Sequence, residues 1–278
     1  MACRGRNQTA GTVQNIQAVQ NTEGEFAAVK GTDNVERLLF GVDSRTPSGT
    51  ALQNNLTQFE WVVRNKIYPN FWGRNLVGEN ALTRDEIELI HSKGCKIAAI
   101  YIADEAKETE EQGKILAKKI ALTALELGVP AGAAVFLEVD EKENITAEYM
   151  RALAQALLFE GFTPGFKANT DAVYSFDREY SRGMQSDREL FEKCLVWAVA
   201  PSLEEYDHVT TTHLIHPDNW VPFAPSGITR DDIAVWQYGK DCHPINDDAG
   251  KQTMFNVNLV RDDEKVKTKL QKFIKKFK

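Results

Sequence analysis

The chain has 278 residues, of which 42% are hydrophobic and 26% charged, and these values are typical of a globular protein. This composition excludes disordered, collagen-like and fibrous proteins. The length suits one large barrel or two smaller domains. The formal net charge of −7 argues against a nucleic-acid-binding protein, because nucleic-acid binding requires a basic surface.

Targeting and redox signals are sparse in this sequence. No segment approaches the run of about 18 apolar residues that a membrane span needs, so none is expected. The first residues lack the hydrophobic run of a secretory signal peptide. We therefore expect cytoplasmic synthesis, with leaderless release as the route to any cell wall. The cysteines form no C-x-x-C pair, and we expect neither a metal ion nor a cofactor.

The composition changes twice along the chain. Residues 1–36 are rich in Gln, Asn and Thr, which predicts an irregular N-terminal arm. Residues 37–260 alternate short apolar runs with helical patterns and form the predicted domain. Residues 261–278 are rich in lysine and place apolar residues at helical spacing, which predicts a basic amphipathic helix. This helix either docks on the domain or contacts an anionic surface or a partner.

Strands and helices alternate through the predicted domain. Strands are predicted at 38–43, 66–72, 96–102, 133–139, 164–168, 195–199, 232–238 and 254–259. Helices are predicted at 51–65, 84–93, 108–127, 146–159 and near 187–193. Short strands that are apolar throughout indicate a buried parallel sheet. Eight of them favour an α/β fold, a TIM-type (β/α)8 barrel with its last helices reduced. A doubly wound open sheet is the alternative, but no glycine-rich phosphate loop follows the first strand.

The carboxyl ends of the strands carry the candidate site, because functional residues of such barrels lie there. Three carboxylates are the candidate catalytic groups: Asp43, Glu138 and Asp140. The other polar and aromatic residues at these ends are predicted to bind substrate: Arg74, Tyr101, Asn169, Trp197, Gln237, Tyr238 and Asn256. Acids and amides bind hydroxyl groups and aromatic rings stack on sugars, so this set favours a carbohydrate ligand.

Glu138 and Asp140 form the most informative pair. Residues two apart on a strand point to the same face of the sheet. Two carboxylates held that close raise the pKa of one of them, which then acts as a proton donor at neutral pH. The alternative is that both residues begin a solvated loop and that Asp43 caps the end of its strand.

Several short segments resemble, in consistent order, the motifs of a known family. Phe40-Gly41-Val42-Asp43 and Val235-Trp236-Gln237-Tyr238 resemble the first strand and the W-Q-Y strand of the family 25 glycoside hydrolases, the lysozyme or muramidase barrels. Further segments resemble a related glycoside hydrolase-like domain of unknown function: Gly73-Arg74-Asn75, Leu82-Thr83-Arg84-Asp85-Glu86, Val135–Asp140 and Gly165-Phe166-Lys167. The resemblance covers about residues 38–260.

The resemblance implies a barrel that acts on an amino-sugar polymer such as peptidoglycan. It assigns Asp140 as the general acid, Glu138 as the assisting carboxylate and Asp43 as a supporting acid. The family pattern has Asp before Glu on the fourth strand, so the two residue types are exchanged here. Asn256 stands where the family has an Asp. We therefore expect either a slow glycosidase or a carbohydrate-binding barrel that has lost turnover.

Overall fold

The structure is a computed structural model that describes residues 38–52, 55–64, 68–209, 216–243 and 253–261. Within these ranges, eight strands close into a barrel in chain order. The strands are β1 (Leu38–Ser44), β2 (Phe71–Asn75), β3 (Lys96–Ile102), β4 (Ala134–Val139), β5 (Thr163–Ala168), β6 (Leu195–Ala198), β7 (Ile233–Cys242) and β8 (Phe255–Arg261). The helices are α1 (Gln58–Arg64), α2 (Arg84–Ser92), α3 (Glu110–Glu126), α4 (Ala147–Phe159), α5 (Ser175–Ser186) and α6 (Arg188–Phe191). The predicted barrel class is confirmed, and in the described part of the chain no α-helix follows β6.

The last strand departs from the parallel arrangement. Strands β1 to β7 run parallel, whereas β8 runs antiparallel to both β7 and β1. Asp43, near the end of β1, therefore pairs with Asn256, near the start of β8. In a uniformly parallel barrel the start of β8 would lie at the opposite end. The reversed direction brings Asn256 to the carboxyl ends of the other strands.

Capping side chains begin the helices that the sequence predicts well. Thr83 accepts a hydrogen bond from the backbone of the first turn of α2, and Thr146 does the same for α4. Thr109 forms a capping box at the start of α3. Gly94 and Gly128 follow α2 and α3 with positive φ, a conformation that glycine adopts without steric cost.

Several elements differ from the sequence prediction. Helix α1 begins at Gln58 rather than at residue 51, and β7 extends to Cys242 rather than ending at residue 238. Strand β2 begins at Phe71 rather than at residue 66, and α5 occupies a segment that carries no predicted helix. On α5, Phe176 and Tyr180 contact Phe166 of β5 in the layer between helices and barrel. These two aromatic residues therefore pack in the core.

The barrel interior is apolar in its lower part, where Phe71, Phe136, Trp197 and Val235 pack together. Gly73 lies just above, where a Cβ atom would come within 2.5 Å of the Cβ of Asp43. Only glycine fits so close an approach. The filled interior leaves the inward polar side chains above it to form the floor of an open pocket.

The predicted arm at 1–36 and nearly all of the predicted helix at 261–278 lie outside the described residues. Among the helices that the structure describes, none has the length and apolar character to span a membrane.

Candidate functional site

A pocket of about 500 Å³ opens at the carboxyl ends of the parallel strands. Six of the predicted site residues line it: Asp43, Glu138, Asp140, Asn169, Gln237 and Asn256. Further lining residues include Arg45, Asn75, Asn80, Glu141, Lys167 and Asp241. The three predicted catalytic carboxylates therefore share one pocket, as expected from their places at the ends of β1 and β4.

A buried lysine links two of these carboxylates at the pocket floor. The Nζ of Lys167 on β5 lies 2.5 Å from Oδ2 of Asp43 and 3.2 Å from Oε2 of Glu138. It also lies 5.1 Å from the centre of the Trp197 ring, within the range of a cation–π contact. Burial acts to lower the pKa of the Lys167 ammonium, but Asp43 and Glu138 together raise it above its usual value. Lys167 is therefore a fixed positive charge.

Glu138 is bound by a second cation. The Nη2 of Arg45, in the loop after β1, donates to Oε1 of Glu138 at 2.7 Å. Burial acts to raise the pKa of Glu138, but the charges of Lys167 and Arg45 outweigh burial and lower it. The raised pKa that the sequence predicts for a carboxylate of this cluster is therefore not found at Glu138. Glu138 is a carboxylate at neutral pH and cannot donate a proton there.

Two amides of β8 complete the surroundings of Asp43. Asn256 Nδ2 donates to Oδ2 of Asp43 at 3.0 Å, and Asn258 Nδ2 donates to Oδ1 at 2.8 Å. The indole of Trp197 donates in turn to Oδ1 of Asn258 at 2.9 Å. The carboxylate of Asp43, whose residue is 4% exposed, therefore serves mainly as an acceptor inside the protein.

Asp140 occupies a different position, at the exposed rim of the pocket just after β4. Its Oδ1 accepts a hydrogen bond from the backbone N–H of Lys142 at 2.9 Å. Its own backbone N–H donates to Glu143, whose carboxylate also binds the buried Lys107 at 2.6 Å. The turn that presents Asp140 is thus held by a buried cation.

Four predicted substrate-binding residues do not line the pocket. Arg74, Tyr101 and Tyr238 point away from the barrel axis, because alternate residues of a strand face opposite sides. Arg74 is fully buried and binds Glu86 through two hydrogen bonds, at 2.8 and 3.1 Å. Trp197 points inward but lies beneath the floor, with no exposed surface.

Sequence reasoning missed Lys167 and Arg45 as site residues. Lys167 was visible as the residue that replaces a tyrosine in the resembled G-[VF]-Y motif. It also lies in a strand that is otherwise apolar, and a charge in such a strand needs a partner. Arg45 follows the first-strand motif by two residues and gives no comparable signal. Among the residues that the structure describes, no His, Cys, Asp or Glu cluster is arranged to hold a metal ion.

Comparisons with known proteins fit this geometry. Residues 67–265 match the family described as Rv2525c-like, glycoside hydrolase-like domain. This match spans more than half of the chain, so the protein belongs to that family.

The chain is also similar to several solved structures. A crystal structure of an uncharacterized B. stearothermophilus protein is 26% identical, with a TM-score of 0.65, over 82% of this chain and 97% of that one. A family GH25 lysozyme from Aspergillus fumigatus is 12% identical, with a TM-score of 0.47, over 84% of this chain and 98% of that one. The bacterial lysozyme from Streptomyces coelicolor is 9% identical, with a TM-score of 0.45, over 84% of this chain and 96% of that one. No curated protein matches the chain.

Proposed function

We propose that the pocket binds an amino-sugar polymer such as peptidoglycan and that it does so without efficient hydrolysis. The observation that carries this proposal is the position of Lys167 between Asp43 and Glu138. Glycoside hydrolysis generally needs one protonated carboxyl group and one carboxylate or other nucleophile beside the scissile bond. Here two of the three candidate catalytic carboxylates are neutralised by protein cations.

The remaining candidate acid, Asp140, lies at the solvent-exposed rim. Catalytic acids in glycosidases are kept protonated by apolar or like-charged surroundings. Asp140 is also one methylene shorter than the Glu at the corresponding position of the resembled motif. The hydrolase predicted from the sequence, with Asp140 as acid and Glu138 as assisting carboxylate, therefore becomes the competing hypothesis. It has one favourable feature, which is that both residues line the same pocket.

Binding itself is supported by the polar lining. Asn75, Asn80, Asn169 and Gln237 present amides around the pocket, and amides both donate to and accept from sugar hydroxyls. A volume of about 500 Å³ lies within the range of pockets that hold small ligands, enough for one or two sugar rings. A polymer would pass across the open end, with one unit inserted.

Co-sedimentation with insoluble peptidoglycan tests this proposal. Wild-type protein should sediment with the polymer in a saturable manner. Asn75→Leu replaces an inward-facing pocket amide by an apolar side chain of similar size, and we expect about 3- to 10-fold weaker binding. Gln185→Leu, at an exposed amide of α5 that is not part of the pocket lining, is the matched control and should bind like the wild type. Absence of saturable binding by the wild type would refute the proposal.

A further inference from the structure

One buried acceptor in the pocket wall has no donor. Gln237 is 5% exposed and lines the pocket from β7. Its Oε1 accepts no hydrogen bond from any residue that the structure describes. An unsatisfied buried acceptor is costly, and such groups in folded proteins are generally satisfied by a ligand or a water. This wall of the pocket therefore presents an acceptor that no donor among the described residues satisfies.

The pocket also carries an excess of negative charge. Its described lining holds the carboxylates of Asp43, Glu138, Asp140, Glu141 and Asp241 against the cations of Arg45 and Lys167. Both cations already form ion pairs with the first two of these carboxylates. Over the described ranges, the other three carboxylates have no ion-pair partner. A negative field inside a concave site attracts cations and concentrates them there.

The unpaired acceptor and part of the excess charge lie on the same strand. Gln237 and Asp241 both belong to β7 and both line the pocket. The backbone N–H of Asp241 donates to Oδ1 of Asn256 at 3.2 Å, and Asn256 donates to Asp43 on the floor. This wall is therefore fixed in place by the network beneath it, and it offers acceptors to a ligand.

We propose that this wall recognises a protonated primary amine, so that the preferred glycan contains free amino sugars rather than fully acetylated ones. An ammonium group has three donors and no acceptor, which complements an amide oxygen and surrounding carboxylates. An acetamido group supplies one donor and no charge, so it satisfies Gln237 but leaves the carboxylates unmatched. This inference rests on the proposed function, because it specifies the chemistry of the sugar that the same pocket binds.

Calorimetric titration with two hexasaccharides tests the inference. The first is a fully deacetylated glucosamine hexamer and the second is its fully N-acetylated counterpart, both at about pH 6 and low salt. The deacetylated hexamer should bind at least about tenfold more tightly, and this advantage should shrink in about 0.5 M NaCl because salt screens the charges. Equal binding of the two, or tighter binding of the acetylated hexamer, would overturn the inference and leave the proposed function standing. If neither hexamer binds, the inference is overturned, and co-sedimentation with peptidoglycan decides separately whether the proposed function stands.

Two variants test whether β7 is responsible for the preference for the deacetylated hexamer. Asp241→Asn removes one charge with little change of shape, and should weaken binding of the deacetylated hexamer about 3- to 10-fold while changing binding of the acetylated one by less than about twofold. Gln237→Met should weaken binding of both hexamers. Glu189→Gln, at an exposed carboxylate of α6 outside the pocket lining, is the matched control and should preserve the wild-type preference. If the Asp241→Asn protein kept the wild-type preference for the deacetylated hexamer, the assignment of this preference to β7 would be contradicted.

Discussion

Two buried ion-pair clusters lie on opposite faces of the same barrel. On the outer face, Arg74 of β2 binds Glu86 of α2, and the carboxylate of Glu86 also accepts from the backbone N–H of Ser48 at 2.6 Å. On the inner face, Lys167 binds Asp43 and Glu138 at the pocket floor. Both clusters pair charges away from bulk water. They differ in what surrounds them.

The outer cluster is closed. The guanidinium of Arg74 also donates to the backbone carbonyls of Ser44 and Asn80, so it joins the ends of β1 and β2 and has no surface for a ligand. The inner cluster is open on one side, because Asp43, Glu138 and Lys167 all line the pocket. The comparison teaches that the face of the strand, rather than the type of residue, separates a structural ion pair from one that shapes a binding site.

The largest effect is expected at the outer cluster. Arg74→Met leaves Glu86 buried without a cation, and should lower the free energy of unfolding by about 3–5 kcal/mol. Urea unfolding measures this loss. Arg188→Met, which removes an exposed arginine of α6 from its exposed pair with Glu192, should cost less than about 1 kcal/mol. Protein of the Arg74 variant that remains folded should still bind peptidoglycan like the wild type. Loss of binding in folded protein would show that the two clusters are not separate in function.

Removal of Lys167 should destabilise the protein slightly less than removal of Arg74, and should weaken the binding of peptidoglycan. Lys167→Met leaves the buried carboxylate of Asp43 without a cation beside the partly buried Glu138, and we expect a loss of about 2–4 kcal/mol at pH 7. The loss should shrink near pH 4, because protonation relieves the repulsion between the carboxylates. Adding Glu138→Gln to this variant should restore part of the stability. An equal loss at both pH values would mean that Lys167 acts by packing rather than by charge.

Asn256→Asp tests the amide that pairs with Asp43. The resemblance to lysozymes implies that an Asp here would raise turnover, but Asn256 donates a hydrogen bond to Asp43. Replacing that donor with a like charge should lower the melting temperature, with a loss of about 1–2 kcal/mol at pH 7. Asn80→Asp, at the exposed rim of the same pocket, serves as the control and should be nearly neutral. A more stable or more active Asn256→Asp protein would restore the hydrolase hypothesis.

The smallest effect concerns the pH dependence of stability. The pKa of Glu138 is lowered in the folded state by Lys167 and Arg45, against the opposing effect of burial. Its ion pairs therefore contribute full stability above the unfolded-state pKa of about 4.3, and this contribution is lost as the pH falls through the lower folded-state pKa. Glu138→Gln should flatten the acid limb of a plot of unfolding free energy against pH. An unchanged acid limb would contradict the pairing.

The barrel could be predicted because most of its strands are short, continuous apolar runs. Capping residues such as Thr83 and Thr146 mark where the helices between these strands begin. The direction of β8 could not be predicted, because an apolar strand pattern does not depend on the direction of the neighbouring strand. Helix α5 was missed, although Phe176, Tyr180 and Met184 recur every four residues, because polar residues fill the positions between them.

The site was predicted only in part, because the sequence marks where strands end but not which face each residue occupies. Asp43, Glu138 and Gln237 could be placed at strand ends from the sequence, and all three line the pocket. Arg74 and Tyr238 also lie at strand ends, but they face outward, and assigning the face required the strand boundaries to within one residue. The pairing of Lys167 with Asp43 spans 124 residues of sequence. No local pattern reports such a contact.

The central claim is that the pocket binds a glycan while its inner carboxylates are neutralised by Lys167 and Arg45. The most direct test measures new reducing ends released from purified peptidoglycan by wild-type protein, at a concentration that saturates binding. Asp140→Asn and a lysozyme of known activity are treated in parallel. We expect saturable binding, with no more reducing ends from the wild type than from Asp140→Asn. Release that depends on Asp140 would show that the pocket is a working glycosidase and would contradict the account.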